Sequence, residues 1–398
     1  MILVVADDIS GAAEIAAVGR IFGLRAQVQI KAAKSTSSDT TLRSSASLRS
    51  TSLLVVDTDT RYAMGDPARD IKEALAKFDM ARIEWHYKKV DSVLRGNVAE
   101  ELCAMMQILQ KDRAILAPAN PTKARIISNG QYFINGRPLH ETDFANDPEF
   151  PATSSMVADL LNVPQGCPLQ VRTWRTYNNS ERGIIVAEAE SMNDLYRWSE
   201  YLDEHTLAAG GSDFFKAVLE KRFPSNRVLS KPEVAVVPGK KLFVCGSASD
   251  SSRKAVAGAH DLGMPVCPMP DALFDDTAAK DTLLKEWADC VLEALSKSGL
   301  AIIAILQPVV RNSKLAQNLR IKTAALVKMV VGRTTIHELL IEGGATAEAV
   351  LRELQWQRLD VIGQYAPGVV RMRAVELSKQ FVTIKPGSYP WPKRIWWI

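Results

Sequence analysis

No two of the five cysteines in these 398 residues stand in a CxxC spacing; Cys103, Cys167, Cys245, Cys267 and Cys290 are scattered and odd in number. That argues against a disulfide framework and against a zinc site, and leaves reduced thiols, several in core strands, as the expectation. No apolar run approaches the length of a membrane span. The opening MILVVADD has no basic region before it and ends in two acids, so it reads as a buried strand, not a signal peptide, with a cytoplasmic location as the default. Charge of one sign is also lacking. A formal +4 spread over the whole chain demands neither nucleic acid nor a membrane, and is compatible with a small anionic substrate. GxxxxGK[ST] is absent, which excludes a Walker A protein, and GxGxxG is absent too.

What is present is ordinary globular material, 47% apolar. At roughly 150 residues per domain, the length suggests two or three domains. Short apolar runs (ILVVA, AQVQI, LLVVD, EWHYKKV, AILAP) alternate with helical-period segments at 12–22, 67–78 and 98–110. That alternation indicates an α/β domain with a mainly parallel sheet. Asn129-Gly130 and Asn135-Gly136 bracket QYFI, a hairpin signal that predicts an antiparallel piece attached to the sheet. The Ser/Thr-rich stretch from Lys34 to Ser52 reads as a long loop. Between Arg222 and Lys241, prolines and polar residues without periodicity suit a linker. Beyond it the alternation restarts, closing with late, partly antiparallel strands. The expected architecture is therefore two α/β domains with mainly parallel sheets, some antiparallel strands and an interdomain cleft. The domains span 1–225 and 240–398.

Three strand ends in the second half carry small residues: Gly246-Ser247-Ala248-Ser249, Gly343-Gly344-Ala345-Thr346 and Lys385-Pro386-Gly387-Ser388. Ligands of open α/β sheets bind outside such ends, and helix N-termini there suit phosphate. One such turn is an ordinary cap; three in one domain favour a nucleotide. In the first half the strand ends carry mixed charge. Asp7-Asp8 precedes a Ser-Gly turn and a helix, and either caps that helix or holds Mg²⁺ or polyol hydroxyls. Asp57-Thr58-Asp59-Thr60-Arg61 is a second acidic end, with an Asx turn as the competing reading. Lys88-Lys89-Val90-Asp91-Ser92-Val93-Leu94-Arg95-Gly96-Asn97 is the densest cluster. Lys89 and Arg95 suit a carboxylate, and Asp91 suits a substrate hydroxyl. His140 reads as a base, a phosphate contact or a packed histidine, and the other histidines show no ligand spacing.

ADDISGAAEIA, KKVDSVLRGNVAEEL, APANPTKARIISNGQYFINGRPLHETDFANDP, LFVCGSASDSSRKAV and LLIEGGATAEAV with YAPGVVRMRA together resemble the four-carbon acid sugar kinase family. The resemblance spans nearly the whole chain. It implies an N-terminal sugar-acid domain, a C-terminal nucleotide domain, and ATP with Mg²⁺ as cofactors for phosphorylating threonate, erythronate or oxo-tetronate. It implies that Ser247, Gly343, Gly344, Ala345, Thr346 and Gly387 contact ATP. Asp7, Asp8, Asp57, Lys89, Asp91 and Arg95 would face the acid, with Asp8, Asp91 and Arg95 catalytic; metal ligands are not assigned. Two departures stand out: Ser10-Gly11 where relatives often have Thr-Gly, and KPGSYPWP where they often have a KSGNFG type of motif. A non-catalytic nucleotide or sugar-acid sensor and a Rossmann-type oxidoreductase stay open as rivals. Packing of the Trp391–Trp397 tail on another subunit, and hence a homo-oligomer, also stays open.

Overall fold

A computed structural model describes residues 1–31, 52–61, 65–147, 149–224, 234–236, 238–246, 250–274, 280–307, 312–375, 377, 380–387 and 389–396. Residues 34–51 of the expected loop, 225–233 of the expected linker, and Ser247 lie outside the described residues. Two compact units divide the chain, Met1–Ser230 and Lys231–Ile398.

In the first unit the apolar runs form strands as expected. They are β1 (Ile2–Ala6), β2 (Ala26–Ile30), β3 (Leu53–Asp57), β4 (Trp85–Lys89) and β5 (Arg113–Ala117); the later β9 (Leu169–Arg172), β10 (Gly183–Ala187) and β11 (Thr206–Gly210), which were not among the expected strands, complete the sheet. They lie in the order β2-β3-β1-β4-β11-β5-β10-β9, all parallel. Every residue of β1, β3 and β5 is buried, because helices cover both faces of a parallel sheet. Helix α1 (Ile9–Ile21) starts where Asp8 turns extended and its carboxylate accepts from the Gly11 N–H. Helices α2 (Pro67–Leu75), α3 (Val98–Ile108), α4 (Val157–Leu160), α5 (Met192–Glu200) and α6 (Ser212–Arg222) follow.

The Asn-Gly pairs do make hairpin turns, with Asn129 and Asn135 near φ +50° and the glycines after them also positive. The hairpin, however, is not part of the main sheet. Strands β6 (Arg125–Ser128), β7 (Gln131–Ile134) and β8 (Arg137–Pro138) form a sheet of their own, tied near β10 by one bridge from Ile127 to Ala189. Two-residue loops fix pairing between neighbours and carry no information about what the hairpin's outer edge meets.

The second unit holds β12 (Lys241–Cys245), α7 (Asp250–Asp261), β13 (Val266–Pro268), α8 (Asp271–Phe274), α9 (Lys280–Ser298), β14 (Leu300–Ala304), α10 (Ser313–Arg333), β15 (Glu338–Glu342), α11 (Gly344–Glu353), β16 (Arg358–Ala366), β17 (Val369–Ala374), β18 (Phe381–Lys385) and α12 (Lys393–Trp396). Its order is β13-β14-β12-β15-β18-β17-β16. The first five are parallel, and β17 runs antiparallel to both of its neighbours. Trp391 and Trp396 meet the Phe243 ring edge-on at 5.5 and 5.0 Å, so this part of the aromatic tail packs on its own core. Two cysteines separated in sequence meet in space. Cys267 and Cys290 bring their sulfurs to 3.4 Å, and neither is in a disulfide. Among the described residues no helix is long and apolar enough to cross a membrane.

Candidate active site

The carboxyl ends of β1, β3 and β4 are neighbours because the strands are, and register places Ala6 beside both Asp57 and Lys89. The acids that follow β1 are buried, and two adjacent buried carboxylates require a cation. Arg61 supplies it. Its Nε donates to Asp7 Oδ2 at 2.8 Å, its Nη2 donates to Asp8 Oδ1 at 2.8 Å, and Asp91 Oδ1 lies 3.7 Å away. Asp8 also accepts from Gly11 N and from the Ser10 hydroxyl. Burial pushes the Asp8 carboxyl up, but Arg61 and Lys89 outweigh it and hold it below its ordinary value. Asp8 is thus both helix cap and ion-pair partner, and the two readings of the sequence merge. Asp57 accepts from the Asp59 N–H at 3.1 Å, the Asx-type turn.

Lys89 bends back to donate to the Val90 carbonyl, with its ammonium beside Gly11. A Cβ on Gly11 would lie 2.7 Å from Asp8 Oδ1 and 3.0 Å from Lys89 Nζ, so glycine there lets acid and base close on the first turn of α1.

Asp91 is saturated. It accepts from Val93 N and Arg95 N, and Arg95 grips it with Nε and Nη2, both at 2.9 Å. Burial opposes its charge, yet Arg95 and Arg61 hold its carboxyl far below the usual range. The remaining arm of Arg95, Nη1, donates to Asp147 at 2.8 Å. The guanidinium expected to hold a substrate carboxylate is thus already occupied by two protein carboxylates. Beside it opens a cavity of about 290 Å³ lined by Arg95, Gly96, Leu139, Phe144 and Phe150 among others. His140 is exposed, with its Nδ1 2.7 Å from the Ser155 hydroxyl, so it is not a packed histidine.

Sequence reasoning passed over Arg61, although it ends the quoted DTDTR segment, and the buried Asp7-Asp8 pair was the signal for it. It also passed over Glu14 and Lys123, which form an ion pair and are fixed by Ser212 and Asn120. Burial raises the Glu14 carboxyl, but Lys123 and Lys89 bring it below its ordinary value.

In the second unit Gly343 adopts φ +94°, open to glycine, and leads into α11 with no side-chain cap and no acid in the first turn. The N–H groups of Gly344, Ala345 and Thr346 belong to that turn, where an α-helix leaves its donors without intrahelical partners. The Gly343 N–H itself donates to Lys385 O at 2.9 Å, joining this turn to the one that carries Gly387. Gly246 closes on Thr346: a Cβ there would sit 2.2 Å from Thr346 Oγ1. Beneath the turns Glu342 accepts from Lys385 Nζ at 3.2 Å and from Trp391 Nε1 at 3.1 Å. Burial raises the Glu342 carboxyl and lowers the Lys385 ammonium, each against the attraction of the other.

Residues 2–218 match the family described as a sugar-binding N-terminal domain, and residues 242–389 that described as a nucleotide-binding C-terminal domain. The chain belongs to the four-carbon acid sugar kinase family. A D-threonate kinase of Salmonella typhimurium is 26% identical over 85% of this chain and 78% of its own length. A D-threonate kinase of Bordetella bronchiseptica is 24% identical over 92% and 88%. A 3-oxo-tetronate kinase of Brucella melitensis is 25% identical over 72% and 70%. Among solved structures, a Haemophilus influenzae protein superposes with a TM-score of 0.66 at 19% identity, over 97% of this chain and 96% of that one. That likeness shows the fold.

Proposed function

We propose that this chain is an ATP-dependent kinase that phosphorylates a hydroxyl of a four-carbon sugar acid of the threonate, erythronate or oxo-tetronate kind. The names of its relatives support the acceptor class. The observation that carries the donor reading is the uncapped start of α11 behind Gly343, where backbone N–H groups and the positive end of a helix dipole face outward from a strand end. In this reading residues 1–225 take the acid and residues 240–398 the nucleotide. Gly343, Gly344, Ala345 and Thr346, with Ser247 and Gly387, receive the triphosphate.

Asp8 orients the attacking hydroxyl. Among the described residues its Oδ2 accepts from the Ser10 hydroxyl alone, so a lone pair is left for a substrate O–H. Asp91, with every oxygen engaged, is the weaker candidate and serves to position the loop through Arg95. A carboxylate kept ionised is a hydrogen-bond acceptor and not a strong base, which suits a loose phosphoryl transfer in which positioning and charge stabilisation dominate. Asp7, Asp57 and Lys89 complete the acceptor side.

Mg²⁺ does not fit between Asp7 and Asp8, because the Arg61 guanidinium stands there. Among the described residues no group of three or more His, Cys, Asp or Glu could hold a metal. Mg²⁺ held mainly by phosphates, with one or two carboxylates, is the arrangement compatible with these residues, and it would neutralise phosphate charge. The test is coupled ADP release from Mg-ATP with D-threonate, D-erythronate, 3-oxo-tetronate and three- to six-carbon controls. ADP release dependent on one four-carbon acid is the expected result. ATP binding with no release on any acid would overturn the kinase reading in favour of a sensor.

A further inference from the structure

The proposed substrate is an anion, and a site for it needs a cation whose charge is not already taken. Arg61 is bound to Asp7 and Asp8, and Arg95 to Asp91 and Asp147. Lys89 has no carboxylate within ion-pair distance among the described residues, but it is buried and its ammonium is turned onto the Val90 carbonyl, and Lys123 is paired with Glu14. Arg125 differs. It is half-buried at the start of β6, and among the described residues no carboxylate lies within ion-pair distance of it. Its Nη1 donates to the Ser92 hydroxyl, the residue next to Asp91, and its guanidinium lies 5.6 Å from the centre of the Phe144 ring. Arg95 approaches the same ring at 5.3 Å.

The position of Arg125 is built, not incidental. Its backbone pairs with Asn120 in both directions, at 2.9 and 3.2 Å. Asn120 accepts from Ser212 Oγ and Asp213 N, Thr122 is held by Asp213, and Lys123 is anchored to Glu14 on α1. The turn 120–125 is thereby clamped between α1 and α6, and the ring of Phe144 limits where the side chain can go. A guanidinium held half out of water by a hydroxyl and a ring face, with donors left over, is completed by a planar anion that accepts two parallel hydrogen bonds.

Resting on the sugar-acid reading above, we infer that Arg125, with Ser92, is the residue that takes the carboxylate of the acceptor and sets the preference for acids over neutral polyols. Arg95 then holds Asp91 and the Asp147 turn in place and does not contact the carboxylate.

The experiment uses the full chain, with calorimetric binding of D-threonate, D-erythronate and 3-oxo-tetronate alongside the ADP assay, on wild type, Arg125→Gln and Arg125→Lys. Loss of a charge-assisted pair should weaken the bound acid about 10- to 100-fold in Arg125→Gln, with ATP affinity unchanged and part of the loss restored in Arg125→Lys. Turnover of the matching neutral tetritol, poor in wild type, should be unaffected, so that discrimination falls by the factor lost for the acid. Unchanged acid affinity in Arg125→Gln would overturn the inference while leaving the kinase reading intact. Equal losses for acid and tetritol would also overturn it, by marking the residue as structural. Acid binding that depends on Arg125 without any ADP release would uphold the inference and defeat the kinase reading. No binding of any acid by wild type would defeat both.

Discussion

Replacing Arg61 by Met tests whether one guanidinium holds the acidic strand ends together. Arg61, Asp7 and Asp8 are each at most 6% exposed, and the two ion pairs are 2.8 Å long. Taking away one partner of a buried pair leaves an uncompensated charge and costs about 3–5 kcal/mol. Here two carboxylates lose their partner, so the upper part of that range is expected. Against a typical stability of about 5–15 kcal/mol the variant should still fold, with a clearly lowered urea midpoint.

The pH dependence separates this account from simple loss of packing. In the wild type the Asp8 carboxyl sits below its ordinary value, so its contribution is present at neutral pH and is lost as pH falls through and below the usual carboxylate range. In Arg61→Met burial acts on Asp8 without its largest opposing cation, which raises its carboxyl. A raised carboxyl destabilises the fold at neutral pH, and the penalty fades as the group takes up a proton. The deficit should therefore be largest near pH 8 and shrink toward about pH 5. Urea unfolding of both proteins at several pH values gives the two curves. A deficit below about 1 kcal/mol, or one that is flat across that range, would refute the role given to Arg61.

Gly246→Ala should weaken ATP binding at least tenfold in calorimetry and leave acid binding alone, because its Cβ would lie 2.2 Å from the oxygen of a buried, β-branched Thr346. Trp391→Phe keeps most of the ring contact with Phe243 but removes the donor to the buried Glu342 carboxylate. It should cost about 1–3 kcal/mol in thermal unfolding.

The first five strands and those of the second unit were legible because strands covered on both faces read as apolar runs, and the glycine turns were legible because they end those runs; β9, β10 and β11, set among polar segments, were not. Nor were the partners of the charged residues. Arg61 stands 54 residues from Asp7, and Arg95 stands 52 from Asp147. Periodicity reports which residues share a face, not which strand end lies beside which. Register decides that, and in a parallel sheet register is set by helices that pack many residues away. The same limit explains Arg95. Its sequence neighbours suggested a free anion grip, whereas its actual neighbours include a carboxylate from a distant turn.

The two sets of candidate residues differ in kind, and the difference bears on where specificity resides. On the proposed nucleotide side the candidate donors are backbone N–H groups in the first turn of α11, which do not titrate and which no substitution short of proline removes. Such donors suit phosphate from any nucleotide. On the proposed acceptor side the candidate residues are side chains whose charges are set by one another, Asp8 by Arg61 and Lys89, and the positioning Asp91 by Arg95. Each can be exchanged singly, and each exchange shifts its neighbours. Divergence in substrate among relatives that share the fold is therefore easier to reach through the acceptor residues. Arg125 is the point of greatest leverage, since it is a half-exposed cation beside Asp91 and Ser92 with no carboxylate within ion-pair distance among the described residues, whereas Lys89 is buried on the Val90 carbonyl.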